Sequence, residues 1–189
     1  MSAPARTLGR SLAALLLAAG AGVLALPGTA DAAPATTQAQ GRVVARTGLV
    51  ERTAPSSHAA TTGRSHRRGT VLTLECKLNG TAVDGNGRWY KIRGRDGWVS
   101  ARYVANIGAA PVDCTAGDWA YEVSVGTVIR QGPSTQDRRI GSLARGTEVD
   151  TRWIARRGGA VAGHRGWVAV NTPSGNRGWI SLTNLRKVA

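Results

Sequence analysis

Phenylalanine is absent from this 189-residue chain, and aromatic residues make up only 5% of it. The six tryptophans and three tyrosines are therefore the only large aromatic side chains that can fill a core or form a binding surface. Sustained helical periodicity is also missing, whereas 25 glycines and many turn residues divide the chain into short stretches. Together these features predict an all-β fold.

Long apolar runs are nearly missing as well, because only residues 12–26 form one, and fifteen residues are too few to span a bilayer comfortably. Arg6 and Arg10 precede this run, and an A-x-A cleavage sequence follows it at residues 30–32. Residues 1–32 are therefore predicted to be a signal peptide, followed by a disordered lead-in over residues 33–41. We expect the mature protein to be secreted, extracellular and not embedded in a membrane.

Lysine occurs only three times, so the formal net charge of +14 is arginine charge. Arginine suits phosphate and carboxylate partners, because its planar guanidinium binds them with two hydrogen bonds at once. The basic residues are spread over both halves of the chain, which is typical of a surface that faces a polyanion rather than of a basic tail. Solubility accounts for such a charge equally well, and specific nucleic-acid binding is not predicted.

An internal repeat organises the chain. Trp89 and Trp98 lie on two strands joined by a polar turn, and the same pattern returns at Trp167 and Trp179, 78 and 81 positions later. A period this long indicates two copies of a small domain. The predicted copies are residues 42–107 and 119–189, which we call repeat 1 and repeat 2, joined by a linker over residues 108–118.

Alternation separates two faces of these hairpins. Aliphatic residues share one face in both repeats, and this face is predicted to be the core. Trp89 and Trp98 of repeat 1 lie on the other, polar face, as do Trp167 and Trp179 of repeat 2. The tryptophans are therefore predicted to form an exposed binding platform.

Cysteine is scarce: Cys76 and Cys114 are the only two. The strand predicted over residues 71–78 alternates cleanly, which places Cys76 at the end of a row of inward leucines, before a predicted glycine- and asparagine-rich loop over residues 79–87. In an exported protein the two cysteines are predicted to form a disulfide. No metal site or cofactor is predicted, since there is no close C-x-x-C pair. His58 and His66 lie in loop-like sequence and are expected to be solvated.

A family resemblance lies in short motifs. In repeat 2 they are I-R-Q-G-P-S at residues 129–134, I-G at 140–141, G-T at 146–147 and G-W-I at 178–180. They resemble the bacterial SH3 (SH3b) pattern V-R-x-G-P-S, I/L-G, K-G-T and G-W-V. Repeat 1 resembles it best at its end, and departs from it at Glu51, where the family prefers an aliphatic residue, and at Ala54, where it prefers glycine. The resemblance implies two small, partly open SH3-like β-barrels in tandem.

The same resemblance implies a ligand groove in each repeat, between the loop after the first strand and the last hairpin. The groove positions of repeat 1 are Trp89, Trp98, Ser100 and Tyr103, with Pro55 and Ser56 as the opposite wall. Those of repeat 2 are Trp167, Trp179 and Asn184, with Pro133 and Ser134. Only repeat 1 keeps three aromatic positions, so it is predicted to carry the selective site. The alternative is that these tryptophans merely close the barrel edges.

The function that the resemblance implies is non-enzymatic binding of the cell wall, with peptidoglycan or an associated anionic polymer as the partner. An extracellular protein or peptide is the alternative partner, since SH3 domains grip extended segments. A murein hydrolase is not predicted, because no nucleophile–base set or acid/base pair appears in either repeat, and no catalytic residue is assigned. A fourth alternative, unselective adhesion to polyanions, predicts steep salt dependence.

Overall fold

The computed structural model describes residues 38–115, 119–171 and 177–188. The predicted signal peptide and the first five residues of the predicted lead-in lie outside these residues. Fourteen strands and two single-turn 3-10 helices form the described part of the chain. The all-β prediction is therefore confirmed. Within the described residues, no helix is long and apolar enough to cross a membrane.

Seven strands form the first barrel. They are β1 (Gln40–Val43), β2 (Leu49–Arg52), β3 (Thr61–His66), β4 (Val71–Val83), β5 (Asn86–Ile92), β6 (Trp98–Ser100) and β7 (Val104–Ile107), with a 3-10 turn at Ala101–Tyr103 before β7. Their spatial order in the sheet is β3-β2-β6-β5-β4-β1-β7, and every pairing between named strands is antiparallel.

The strands of the second barrel are β8 (Trp119–Val123), β9 (Thr127–Arg130), β10 (Arg139–Leu143), β11 (Glu148–Ala155), β12 (Trp167–Asn171), β13 (Arg177–Ser181) and β14 (Leu185–Lys187), with a 3-10 turn at Leu182–Asn184 before β14. They repeat the topology of the first barrel, in the order β10-β9-β13-β12-β11-β8-β14. The identical strand order confirms the prediction of two SH3-like barrels. The domain boundaries stay predictions, although β1 already includes Gln40 and Gly41 of the predicted lead-in.

Each barrel has an aliphatic core of its own. In barrel 1 the core includes Leu74, Ile92 and Val99, and in barrel 2 it includes Val168 and Ile180. Ile92, Val99, Val168 and Ile180 are residues that alternation assigned to the inner face of the repeated hairpins, and Leu74 was assigned inward in its own strand. The period-2 pattern therefore identified the core face of both hairpins correctly.

A β-bulge reverses the alternation halfway along β4. Leu74 pairs with Ile92 and Cys76 pairs with Lys91, so Glu75 is an extra residue between the two pairs. The side chains of Cys76 and Leu78, beyond the bulge, consequently lie on the face opposite to the barrel core. The prediction that the whole row from residue 72 to residue 78 faces inward is wrong for its second half.

The same bulge occurs in β11 of the second barrel. Thr151 pairs with Val170 and Trp153 pairs with Ala169, which leaves residue 152 as the extra residue. Trp153 is therefore turned out of the barrel core, as its counterpart Cys76 is in the first barrel. The bulge thereby places the Trp153 side chain at the contact between the two barrels.

Strand β4 is also longer than the sequence predicted. It continues to Val83 and turns into β5 at Asp84 and Gly85, whose φ angles are 46° and 79°. Both residue types tolerate the left-handed conformation that a tight hairpin turn requires. The loop predicted over residues 79–87 is therefore a strand end, a two-residue turn and a strand start.

The predicted disulfide between Cys76 and Cys114 is confirmed, with the two Cα atoms 4.9 Å apart. The chain beyond β7 runs beside β4, because the Lys77 amide donates to the Val112 carbonyl and the Cys114 amide donates to the Lys77 carbonyl. Part of the predicted linker is thus hydrogen-bonded to the first barrel.

Candidate functional site

The four tryptophans of the repeated hairpins are buried, with at most 3% of each exposed. They lie together in a third apolar cluster, which we call the interbarrel core. It consists of Ala54, Ala59, Cys76, Leu78, Trp89, Trp98, Cys114, Ala155, Trp167, Ala169 and Trp179. The prediction of an exposed tryptophan platform is therefore wrong: the polar face of each hairpin is covered by the other barrel.

The predicted groove walls are buried in the same way. Pro55 and Ser56 of the first barrel and Pro133 and Ser134 of the second are all buried. Two faces that each carry two tryptophans expose much apolar surface when separate, and packing them together removes that surface from water. The structure thus brings the two predicted grooves together, face to face, and closes both.

The remaining predicted groove residues make contacts within their own barrels. Ser100 accepts a hydrogen bond from the Arg102 amide and so caps a 3-10 turn. Tyr103 packs against the core of barrel 1 and donates to Asp84, and this hydrogen bond raises the pKa of the Tyr103 phenol. Asn184 donates to Thr127 Oγ1 over 2.7 Å. None of the three joins the tryptophans in the interbarrel core.

The contacts between the barrels are approximately reciprocal. Trp179 Nε1 donates to the carbonyl of Asn79 over 2.9 Å. In the opposite direction, Thr53 Oγ1 donates to the carbonyl of Arg157 over 2.9 Å. Asn79 and Arg157 occupy the same place in the two repeats, 78 positions apart. Equivalent surfaces therefore face each other, as in an isologous contact between two copies of one protein.

Asp137 is the polar centre of this contact. Its side chain is fully buried, and its Oδ1 accepts hydrogen bonds from Ser56, over 3.1 Å, and from Thr81. His58 Nδ1 lies 2.8 Å from the same oxygen, and the His58 side chain is 38% exposed, so this histidine is solvated as predicted but also contacts Asp137. Ser56 donates to the carboxylate directly and not to the histidine. These residues therefore form a polar contact between the two barrels.

Glu51, the departure from the family pattern, is buried at the position that Ile129 occupies in the second barrel. Its carboxylate accepts hydrogen bonds from Arg95 and lies 3.0 Å from His66 Nε2. The His66 side chain is 11% exposed, so the prediction that His66 is solvated is wrong. A Cβ at Gly97 would lie 2.1 Å from Glu51 Oε1, so glycine makes room for the carboxylate. A buried carboxylate needs such partners to remain charged.

We expect this cluster to make the protein sensitive to acid. Burial by itself raises the pKa of Glu51, but the hydrogen bonds from Arg95 and His66 bring it below its ordinary value of 4.5. A lowered pKa gives stability that is fully present above the ordinary value and is lost as the pH falls through the folded-state value. Thermal unfolding from pH 7 to pH 3 should show the loss in the native protein and a smaller loss in Glu51→Gln. Parallel curves would contradict the assignment.

The two tryptophans that remain partly exposed, Trp119 and Trp153, line a cleft of about 300 Å³ between the barrels, which we call the tryptophan cleft. Its lining is Thr53, Lys91, Asp96, Trp98, Trp119, Trp153, Ile154, Ala155, Arg156 and Arg157. Trp119 and Trp153 are partly exposed, and Arg156 and Arg157 are exposed. The cleft therefore combines aromatic faces with cations.

Neighbouring strands hold the two accessible tryptophans. Trp119 begins β8 and pairs with Thr151, two residues before Trp153 in β11. Trp153 packs edge-on against Trp98 of the first barrel, with ring centroids 6.0 Å apart and ring planes at 86°. No sequence pattern assigned Trp119 or Trp153 to a site. The available signal was that they are the two tryptophans without a tryptophan at the equivalent place in repeat 1.

Within the described residues, no group of three or more His, Cys, Asp or Glu side chains is placed to hold a metal ion. The functional groups of the tryptophan cleft are instead indole rings, guanidinium groups, one lysine and one aspartate. Such a set can stack against flat or sugar-like surfaces and pair with anions.

Residues 124–186, which form most of the second barrel, match the family model of the bacterial SH3 domain. The second barrel is therefore similar to bacterial SH3 domains, and the first barrel has the same strand order as the second. No curated protein matches the chain. Among solved structures, NlpC2 from Trichomonas vaginalis aligns with 80% of this chain and 49% of its own, at 16% identity and a TM-score of 0.30. The chain spans about half of that protein, and a similarity this low transfers neither fold nor activity.

Proposed function

We propose that this protein is a secreted, non-enzymatic cell-wall-binding protein that holds peptidoglycan or an associated anionic polymer in the tryptophan cleft. The family match supports a role in association with the cell wall. The proposed binding surface differs from the grooves inferred from sequence, because those grooves are closed. The observation that carries the proposal is the pair of partly exposed tryptophans beside exposed arginines in one cleft.

The chemistry of the cleft fits a polymer that contains both sugars and carboxylates. The faces of Trp119 and Trp153 can stack against the apolar faces of sugar rings. Arg156 and Arg157 can form charge-assisted hydrogen bonds with carboxylates or phosphates. Lys91 is already occupied, since its Nζ lies 2.7 Å from a carboxylate oxygen of Glu75. The two tryptophans are therefore expected to provide the selectivity of binding. The two arginines are expected to add a salt-sensitive contribution to the affinity.

Replacing Trp119 with alanine tests this proposal. The variant should bind purified peptidoglycan sacculi about tenfold more weakly than the native protein, because one stacking surface is lost. Binding is measured by sedimentation with sacculi at two salt concentrations. Trp119 is at the start of a strand and only partly buried, so the fold is checked by thermal unfolding of the same sample. Unchanged binding by a folded Trp119→Ala protein would remove the cleft from the proposal.

A matched pair of arginine variants separates local charge from total charge. Arg156→Ala with Arg157→Ala removes two cations from the cleft, whereas Arg139→Ala with Arg145→Ala removes two exposed cations of the same barrel outside it. The first pair should weaken binding more than the second. Equal losses would indicate unselective attraction to a polyanion. Release of muropeptides from the sacculi would contradict the non-enzymatic part of the proposal.

A further inference from the structure

A second cleft of about 380 Å³ lies at another place along the contact between the barrels. It is lined by Asn79, Gly80, Asn86, Gly87, Arg88, Gln131, Arg138, Ile140 and Arg177. We call it the arginine cleft. Arg88 comes from the first barrel, and Arg138 and Arg177 come from the second, so the packing of the two barrels creates this arrangement.

The two clefts occupy equivalent places in the pseudo-symmetric pair. Gln131 of the arginine cleft corresponds to Thr53 of the tryptophan cleft, 78 positions earlier. Arg177 corresponds in the same way to Asp96, 81 positions earlier. The repeat thus places the same part of the barrel at both clefts, but the side chains differ. One cleft is aromatic and contains an aspartate, and the other contains three arginines and no aromatic residue.

The lining of the arginine cleft contains three positive groups and no carboxylate. Arg177 lies 3.5 Å from Asp113, which is exposed and outside the lining. Arg88 and Arg138 are exposed and form no ion pair with any residue that the structure describes. Three guanidinium groups around one cavity repel one another, and a bound anion relieves this repulsion.

The number of donors favours phosphate over a carboxylate. Each guanidinium carries five N–H donors, and the side-chain amides of Asn79, Asn86 and Gln131 add further donors. A single bidentate arginine already engages both oxygens of a carboxylate. A phosphate group offers more acceptor oxygens than a carboxylate, arranged tetrahedrally around phosphorus. It therefore uses donors that converge from several directions, as these do.

We propose that the arginine cleft is a phosphate-binding site, and that it engages phosphate groups carried on a wall polymer. This inference rests on the proposed function and deepens it by naming the ligand class of a second site. The polymer would then contact two clefts of one molecule, so that each weak contact raises the effective concentration of the other.

Titration with inorganic phosphate, followed by NMR of the arginine Nε–H groups, tests the site itself. Phosphate should shift the signals of Arg88, Arg138 and Arg177, and acetate at equal ionic strength should shift them much less. Arg138→Gln should weaken phosphate binding by about tenfold, the loss of one strong charge-assisted pair. The control Arg145→Gln removes an exposed arginine outside the cleft and should bind as the native protein does. Equal responses to acetate, or equal losses in the two variants, would overturn the proposal.

Sacculi before and after removal of their phosphate polymers by hydrofluoric acid test the biological ligand. Arg138→Gln should weaken binding only to the untreated sacculi, whereas Trp119→Ala should weaken binding to both. If Arg138→Gln has no effect on either, phosphate on a wall polymer is not the ligand, and the tryptophan cleft still stands. If Trp119→Ala has no effect while Arg138→Gln does, the proposed role of the tryptophan cleft fails and the phosphate site stands.

Discussion

Trp179→Ala is expected to lower the free energy of unfolding by about 3–5 kcal/mol, the usual cost of removing a large buried aromatic side chain. The indole is 1% exposed and packs in the interbarrel core. Its Nε1 also donates to the Asn79 carbonyl of the other barrel, so the variant loses a hydrogen bond across the contact. Denaturant unfolding, followed by circular dichroism, measures the change.

Val125→Ala is a suitable control for this measurement, because Val125 is 53% exposed and the change should stay within about 0.5 kcal/mol. An open groove would predict a different result, because replacing an exposed Trp179 would weaken ligand binding and leave the free energy of unfolding unchanged. An unfolding midpoint equal to that of the native protein would show that the tryptophan faces solvent and that the barrels do not pack as described.

Removing the disulfide should have an effect of similar size. The bond closes a loop with a sequence separation of 38 residues, for which the chain-entropy model gives about 4 kcal/mol. Cys76 and Cys114 both belong to the interbarrel core, so the bond also fixes one side of the contact between the barrels. The double variant Cys76→Ala with Cys114→Ala should therefore unfold at a markedly lower denaturant concentration.

Two observations accompany this experiment. Titration of the native protein with a thiol reagent under non-reducing conditions should find no free thiol, since both cysteines are paired. The reduced native protein should then show the same loss of stability as the double variant. A reduced protein as stable as the oxidised one would mean that the bond constrains a segment that is already held by other contacts.

The packing of the barrels also changes how function is assigned to residues. A substitution at a hairpin tryptophan tests the fold and not the ligand site. The proposed ligand sites are instead the two clefts along the contact, where Trp119 and Arg138 are more informative positions. This division follows from burial, because a side chain enclosed by two barrels has no surface left for a polymer.

The sequence alone determined the fold class, the repeat, the disulfide pair and the core face of each hairpin. These features depend on local rules: side chains alternate along a strand, and two cysteines in an exported chain pair with each other. Repeat motifs around Trp89 and Trp179 likewise indicated the similarity to bacterial SH3 domains, because turn glycines and strand residues recur at fixed spacing.

Only the tertiary structure decided what covers the tryptophan face. Alternation shows that Trp98 and Ile92 point to opposite faces, but it does not show whether solvent or another barrel lies beyond the second face. Nor did alternation anticipate the bulge at Glu75, after which Cys76 leaves the barrel core. A bulge depends on the pairing of two strands, and a contact between barrels depends on surfaces distant in sequence. The predicted grooves are closed because burying both tryptophan faces together removes apolar surface from water. This stabilisation needs both barrels, so no single segment of the sequence reveals it.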